Sequence, residues 1–411
     1  MLSKPVWAIA NRVSSGLTPL RSNPEFWLNG TIPWLKTEQL GEKLIYSTTE
    51  KISEVALRKT SIKVYPPNTL SIAMYGEGKT RGNVSIIKSK MATNQACCNI
   101  ELDPELADFE YVYYFLKTQY NELRNLSSGV RKNLNSDDIK NFVIRLPKNL
   151  TEQKKIVGAL SALDAKIDCN KRINFELEAM AKALFDYWFV QFDFPDSDGK
   201  PYKSSGGKMV YNTLLKRDIP QNWAATPLSS ITPVSNESLN PADFPDRLFK
   251  HFSIPVFDVV KTYGVELGQS IGSNKFTVLG ADLLVSKLNP WSNRVVYAMD
   301  EADQICSTEF VVWRSSSENL KNFLFLIATS QQFISHCVQS ASGTSNSHKR
   351  VNPSVMMRFE LPYEEKVAAE FGKVINPILK KLIVNQRENQ YLSQLRDWLL
   401  PMLMNGQVMV V

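Results

Sequence analysis

Hydrophobic residues recur at alternating spacings of four and three in two stretches of the chain, 156–188 and 371–403. This heptad pattern predicts a long helix with a coiled-coil seam in each stretch. A helix of about 38 residues is roughly 55–60 Å long, and it cannot bury such a seam alone. We therefore expect the two helices to pair in antiparallel orientation. The alternative is two separate amphipathic helices, each packed on its own domain.

Asparagine interrupts the two seams at matching positions. Asn170 and Asn174 lie in the first seam, and Asn385 and Asn389 lie in the second. A polar seam residue costs stability but fixes the register and the partner of the helix. The four asparagines are therefore predicted to set the register of the paired helices.

The ends of both helices carry recognisable signals. Thr151 is a candidate N-cap for the first helix, and Glu364 places negative charge at the start of the second. Pro401 and Gly406 are expected to end the second helix. Pro377 lies inside the second stretch, so a kink or a later start is expected there.

The segments that precede the two helices form a weak repeat with an offset of about 215 residues. The matched segments are Ile32–Leu35 with Ile254–Phe257, Asn68–Met74 with Gly280–Ser286, Thr93–Cys97 with Cys306–Phe310, Tyr111–Tyr120 with Phe323–Phe333, and Leu146–Pro147 with Leu361–Pro362. The chain is thus predicted to divide into a first domain (1–150), a first helix (151–192), a linker rich in Gly, Pro and Ser (193–210), a second domain (211–363) and a second helix (364–405).

Composition narrows the class of protein. The 411 residues include 48 Lys and Arg against 41 Asp and Glu, and the net charge of +7 favours a polyanionic partner. Five cysteines without CxxC spacing and three scattered histidines argue against a zinc site and fit a reducing cytoplasm. Neither a signal peptide nor a membrane-spanning apolar run is recognisable in the sequence.

Motifs for DNA-modifying chemistry are missing from the sequence. It contains neither a GxGxxG segment after a strand nor a GxxxxGK[ST] loop. Asn289-Pro290-Trp291 resembles part of an adenine-methyltransferase motif but lacks the second proline, and we interpret it as a turn. Glu77-Gly-Lys79 has no upstream aspartate on a strand that would complete a nuclease motif. No catalytic residue and no metal ligand is therefore predicted in this chain.

Two pairs of loops combine glycines or amides with cations, and they are the candidate DNA contacts. Glycine lets a backbone approach a ligand closely, while Lys and Arg bind phosphates or base edges. Charges on solvated loops are the alternative interpretation. The candidates in the first pair of loops are Lys79, Arg81 and Asn83, matched with Lys287, Asn289, Asn293 and Arg294. Those in the second pair are Arg131 and Lys132, matched with Lys349 and Arg350.

Three motifs resemble the specificity subunit of type I restriction-modification systems. Trp27-Leu-Asn-Gly-Thr-Ile-Pro-Trp34-Leu-Lys-Thr is similar to the opening of a target recognition domain, and Lys36 within it becomes a further candidate DNA contact. The Tyr75-Gly loop followed by Thr93-Asn-Gln-Ala is similar to the middle of that domain. The segment 147–156, Pro-Lys-Asn-Leu-Thr-Glu-Gln-Lys-Lys-Ile, resembles the entry to a spacer helix.

This resemblance implies an α+β protein without a catalytic role of its own. Two globular α/β target recognition domains would be related by a pseudo-twofold axis and separated by two antiparallel coiled-coil spacer helices. Each domain would read one half of a bipartite double-stranded DNA target, with the helices setting the spacing. Two modification subunits that bind S-adenosylmethionine, and restriction subunits that use ATP and Mg²⁺, would supply the catalysis.

Two alternatives from other classes stay open at this point. One is a single-chain DNA methyltransferase or restriction enzyme, which the missing motifs disfavour. The other is a coiled-coil scaffold without a DNA role, which the basic paired loops disfavour. The second half also departs from the family pattern, because it lacks the Gln-Lys-Lys-Ile run of 153–156 and Arg396 interrupts its seam.

Overall fold

The computed structural model describes residues 1–76, 80–126, 133–343, 348–408 and 410. The chain forms two compact units, Met1–Ala165 with Ser393–Val411, and Lys166–Leu392. Both long helices contribute residues to each unit, because Leu150–Phe185 and Glu365–Met404 cross the division.

The first unit is built on two mixed sheets and one antiparallel pair of strands. In order across the larger sheet, the strands are Ala10–Ser15, Cys97–Leu102, Leu70–Ala73, Val84–Ile87 and Leu44–Ile45. In the four-stranded sheet they are Glu50–Ile52, Ile32–Leu35, Met91–Thr93 and Val64–Tyr65, and a third sheet pairs Leu2–Pro5 with Val143–Leu146. The α-helices that precede the long helix are Glu54–Lys59, Phe109–Thr118, Tyr120–Asn125 and Ser136–Asn141, and 3-10 turns span Val6–Ile9, Pro24–Phe26 and Thr37–Gln39.

The second unit repeats this plan and adds a hairpin. Its five-stranded sheet has the order Ser238–Leu239, Lys275–Thr277, Gln304–Cys306, Leu248–Phe252 and Gly264–Leu267. Its four-stranded sheet has the order Val234–Ser235, Phe310–Arg314, Asp282–Ser286 and Val295–Tyr297, and two-stranded sheets pair Ala224–Pro227 with Glu360–Tyr363 and Met209–Asn212 with Arg217–Pro220. The short α-helices are Leu228–Ile231, Ile254–Val260, Glu318–Thr329, Gln331–Ser340 and Pro353–Met356, with 3-10 turns at Pro241–Asp243, Gly268–Ser270 and Pro290–Ser292.

Strand pairing corrects one match in the predicted repeat. The strand Ile32–Leu35 pairs in parallel with Met91–Thr93, and the strand that does the same with Gln304–Cys306 is Leu248–Phe252. The predicted match at Ile254 is wrong, because a helix begins there. Proline in a first helical turn is favourable since its missing N–H would have no partner there, and Pro255 occupies that turn.

The first long helix begins one residue earlier than its predicted cap. Leu150 is its first residue, and the side chain of Asn149 accepts a hydrogen bond from the Thr151 amide at 2.9 Å. Asn149 rather than Thr151 therefore caps the helix. The second long helix starts as predicted beside Glu364, whose carboxylate accepts from the Val367 amide at 2.7 Å.

Neither proline in the second long helix begins or ends it. The helix begins at Glu365 and runs through both Pro377 and Pro401 to Met404, so the expected late start and the expected stop at Pro401 are wrong. Gly406 follows the helix with a φ of 72°, which is the left-handed conformation usual after a helix end. Burial explains the continuity at Pro377, because Ile375 and Leu379 on either side are 0% and 1% exposed.

Each unit has its own hydrophobic core. In the first unit, the buried helix Phe109–Thr118 packs with both the start of the first long helix and the end of the second. In the second unit, aromatic side chains dominate: Phe189 contacts Phe323 and Phe371 with ring centroids 4.9 and 5.1 Å apart. Cys97, Cys98, Cys306 and Cys337 are buried free thiols, whereas Cys169 is exposed.

The segment predicted as a linker is a packed loop. Phe194 stacks on Tyr202 and Trp223 with centroids 4.8 and 5.1 Å apart. The carboxylate of Asp193 accepts from the amide and hydroxyl of Ser204 at 2.7 and 2.6 Å. The residues at 193–204 therefore form part of the second unit rather than a free tether.

Candidate nucleic-acid interface

Three loops of the first unit are joined at one edge of its larger sheet. Met74 follows the strand Leu70–Ala73, and Ala96 precedes the strand Cys97–Leu102. The Met74 amide donates to the Ala96 carbonyl at 2.8 Å. The Leu134 amide donates to the Met74 carbonyl at 3.1 Å. We call this region, residues 74–76, 80–83, 94–96 and 133–135, the first loop edge.

The same pair of backbone hydrogen bonds occurs in the second unit. The Lys287 amide donates to the Glu309 carbonyl at 2.9 Å, and the Val351 amide donates to the Lys287 carbonyl at 3.0 Å. Residues 287–294, 307–309 and 348–351 form the second loop edge. The two pairs of loops proposed from the sequence are therefore parts of one surface in each unit.

Two predicted contacts of the first loop edge make hydrogen bonds within the first unit. Asn83 donates from its side chain to the Leu40 carbonyl at 3.2 Å. Arg81 is half-buried, and its carbonyl accepts from the guanidinium of Arg124 at 3.2 Å. Predicted contacts that lie outside the described residues are Lys79, Arg131 and Lys132.

Lys36 is held by two carboxylates. Its ammonium lies 2.6 Å from Glu38 and 2.7 Å from Glu50. Hydrogen bonds to Glu38 and then Glu50 raise the pKa of Lys36. A DNA phosphate at this position would compete with two anions, so we expect a weaker contribution from Lys36 than its sequence motif suggests.

Asn289 joins the two loops of the second loop edge. Its amide donates to the Lys349 carbonyl at 2.7 Å, and its side-chain oxygen accepts from the Lys349 amide at 3.1 Å. Asn289 and Asn293 both have positive φ, 49° and 44°, on either side of the 3-10 turn Pro290–Ser292. The partial methyltransferase motif is thus a turn, as interpreted from the sequence.

Arg294 is a structural side chain rather than a free cation. It forms a bidentate ion pair with Asp258 at 2.6 and 2.9 Å, and it donates to the Leu288 carbonyl at 3.2 Å. The side chain is 13% exposed. Because the hydrogen bonds from Arg294 outweigh partial burial and stabilise the carboxylate, the pKa of Asp258 is lowered.

Arg350 differs from Arg294 in exposure. It also pairs with a carboxylate, that of Glu309, but its side chain is 47% exposed. Sequence reasoning missed both acids, because their distances of 36 and 41 residues from their arginines match no motif.

A third missed acid explains the arginine that interrupts the seam. Within the first unit, Asp164 of the first long helix accepts hydrogen bonds from Arg396 of the second at 2.9 Å and from the Tyr114 hydroxyl at 2.5 Å. Lys43 lies 3.3 Å away from the same carboxylate. Burial alone would raise the pKa of Asp164, but these neighbours outweigh it and the pKa is lowered.

The seam asparagines meet in pairs within the second unit. Asn170 donates to Asn389 at 3.0 Å, and Asn385 donates to Asn174 at 2.9 Å. The later residue of the first helix thus pairs with the earlier residue of the second, which is antiparallel pairing. Asn174 also donates to the Leu382 carbonyl at 3.2 Å. Their effect on register stays a prediction.

Two kinds of feature are absent from the described residues. No group of three or more His, Cys, Asp and Glu side chains in this part of the chain is placed to hold a metal ion. None of the helices in the described ranges has the length and apolar character needed to cross a membrane.

Comparisons with known proteins agree on one family. Residues 9–179 match the model of the type I restriction modification DNA specificity domain. The type I restriction enzyme MjaIX specificity subunit of Methanocaldococcus jannaschii is 26% identical over 97% of this chain and 91% of its own length. The corresponding HindI subunit of Haemophilus influenzae is 24% identical over 68% of this chain and 72% of its own.

A solved structure supports the fold. The crystal structure of a type I restriction-modification system S subunit from M. genitalium superposes with a TM-score of 0.61 at 15% identity, covering 98% of this chain and 95% of that one. At this identity the likeness bears on the fold alone, and it confirms the predicted mixed α/β architecture with a long helix.

Proposed function

We propose that the chain is a specificity subunit of a type I restriction-modification system, and that its two loop edges each read one half of a DNA target. The single observation that carries this proposal is the recurrence of the loop edge. In both units the same two backbone hydrogen bonds join three loops, although the loop sequences differ. A shared scaffold with different side chains suits two readers of two different sequences.

The chemistry of the second loop edge fits a DNA partner. Lys287, Lys349 and Arg350 lie on its joined segments, and cations on a rigid backbone are suited to phosphates and base edges. The turn Pro290–Ser292 projects between two left-handed residues, with Trp291 45% exposed. This surface offers both positive charge and an exposed aromatic ring.

The proposal extends to partners that perform the catalysis. Two modification subunits with S-adenosylmethionine, and restriction subunits with ATP and Mg²⁺, would act where this chain places them on DNA. This chain itself would contribute recognition and no catalytic group. The long helices would hold the partners and set the spacing between the two half-sites.

The test is DNA binding by the chain purified with its modification subunits, across a salt series. Replacing Lys287 and Lys349 by Gln should weaken binding to all sequences alike. The slope of log K against log salt should fall by about 0.9 for each phosphate that the variant no longer neutralises. The matched control is Lys380→Gln. Lys380 is an exposed cation of the second long helix and is paired with Glu318.

Two results would contradict the proposal. One is binding without sequence preference by the wild-type complex, which would favour a scaffold. The other is methyl transfer to DNA by this chain alone, which would favour a single-chain enzyme.

A further inference from the structure

Arg350 has an unusual combination of order and exposure. Its Nε donates to Glu309 Oε1 and Oε2 at 3.1 and 3.0 Å, and its Nη2 donates to Oε1 at 2.9 Å. Nearly half of the side chain is nevertheless exposed, at 47%. The Glu309 carboxylate therefore orients the guanidinium, while part of the Arg350 side chain faces solvent.

The backbone of Arg350 is fixed on both sides. Its amide donates to the Ser342 carbonyl at 2.9 Å, and its carbonyl accepts from the Ser342 amide at 3.0 Å. On the other side it forms a β-bridge with Leu288, and its neighbour Val351 is 1% exposed. A side chain anchored in this way loses little further conformational entropy when it binds a ligand.

The pairing leaves one edge of the fork available. A guanidinium has five N–H groups in a rigid plane, and Glu309 uses the Nε–H and one N–H of Nη2. The Nη1 and Nη2 edge retains two N–H groups that point in parallel. This edge matches the O6 and N7 acceptors that guanine presents in the major groove.

Among its described residues, the first loop edge lacks this device. By the matching backbone hydrogen bonds, Leu134 corresponds to Val351 and Ala96 corresponds to Glu309. Asn133 therefore stands where the second unit has Arg350, and alanine stands where it has the carboxylate. The arginine and its acid are a difference between the two readers, as expected for a determinant of sequence preference.

We propose that Arg350 reads one guanine in the major groove of the half-site bound by the second loop edge, with Glu309 as its positioning residue. The inference rests on the proposed function and goes beyond it, because it assigns one base and one side chain. A phosphate contact by Arg350 is the competing outcome, and it would carry no base preference.

The experiment measures the target motif of the complex with modification subunits, by selection from a library with randomised half-sites. Arg350→Lys keeps the charge but removes the fork. It should reduce the preference for one guanine roughly 5- to 150-fold while other positions and the salt slope stay unchanged. Glu309→Gln should weaken the preference at the same base pair by a smaller factor. The matched control is Arg247→Lys, since Arg247 is 48% exposed, is paired with Asp303 and lies outside the second loop edge.

A chemical probe changes the DNA instead of the protein. Replacing that guanine by 7-deazaguanine removes the N7 acceptor, so it should weaken wild-type binding more than binding by Arg350→Lys, because lysine can also contact N7 but without the fork. An unchanged motif in Arg350→Lys, or an equal effect of 7-deazaguanine on both proteins, would overturn the assignment of guanine. A wild-type complex with no sequence preference would instead overturn the proposed function.

Discussion

The buried pair Asn174 and Asn385 is predicted to fix the register of the two long helices at a cost in stability. Asn385 Nδ2 donates to Asn174 Oδ1 at 2.9 Å, and the side chains of Asn385 and Asn174 are 0% and 7% exposed respectively. Among the described residues, Asn385 Oδ1 has no hydrogen-bond partner. The pair is thus incompletely satisfied, and leucine at both positions would bury apolar surface instead.

The size of the stability change follows from the polar group that each substitution leaves buried without a hydrogen-bond partner. Asn385→Leu leaves Asn174 Oδ1 buried without its donor, and an unsatisfied buried group costs about 1–3 kcal/mol. The double Leu variant removes the stranded oxygen and should be at least as stable as the wild type. Each single variant should therefore be about 1–3 kcal/mol less stable than the double. For a unit of this size that is about 2–12 °C in Tm.

The assay combines denaturation with a register reporter. Urea unfolding of the two single variants and the double gives the coupling energy. For register, Lys166 and Glu388, whose charged groups lie 3.2 Å apart, are replaced by Cys in a Cys169→Ser background and joined by a short bismaleimide. Leucine at all four seam asparagines should lower the crosslinking yield, because a shift of one heptad moves the sites by about 10 Å.

Two outcomes would refute this reasoning. Single variants as stable as the double would show that the stranded oxygen finds another partner. An unchanged crosslinking yield without any of the four asparagines would show that other seam residues set the register.

The remaining predictions concern stability and the role of one arginine. Asp164→Asn should destabilise the protein by about 3 kcal/mol near pH 7 because it breaks a mostly buried ion-pair network. Since the pKa of Asp164 is lowered in the folded protein, the loss in unfolding free energy should have its full size above about pH 4 and shrink as pH falls through that lowered pKa. Urea titrations at several pH values test this, and a loss that is constant with pH would contradict it. Gly372→Ala should lower Tm because the new Cβ would lie 1.9 Å from the Asn319 carbonyl oxygen. The control Gly158→Ala, whose Cβ would have no atom within 4 Å, should raise stability by up to about 1 kcal/mol. The reverse order of Tm values in calorimetry would show that the packing at Gly372 relaxes. Arg294→Gln should reduce the free energy of unfolding without changing the salt slope of DNA binding, and a reduced slope with unchanged stability would restore Arg294 as a DNA contact.

Periodic features were predictable from the sequence because each residue in a repeat supports the same interpretation. The heptad pattern extends over ten positions in each of the stretches 156–188 and 371–403, so one unusual residue such as Arg396 leaves the pattern intact. The match of Asn68–Met74 with Gly280–Ser286 also holds, since each segment contains a buried strand, Leu70–Ala73 and Asp282–Ser286.

Single local signals were less dependable because tertiary packing competes with them. Proline in a helix removes one hydrogen bond and strains the preceding turn, yet the buried neighbours of Pro377 keep the helix continuous. The match at Ile254 failed for a related reason. Four similar letters, Ile-Pro and two apolar residues, form a strand at Ile32 and a helix at Ile254, because pairing with neighbouring strands rather than local composition selects the strand.

The two arginines of the second loop edge differ in a way that the sequence alone does not predict. Sequence places Arg294 and Arg350 alike, as cations in loops beside glycine or asparagine. Folding brings Asp258 to one and Glu309 to the other, and both form bidentate pairs. The difference lies in exposure, 13% against 47%, which depends on how three separated segments pack. A buried fork uses its donors on the protein, whereas an exposed fork held by one edge keeps the other for a ligand. Recognition in this chain is therefore proposed to depend on the distant acid as much as on the arginine itself.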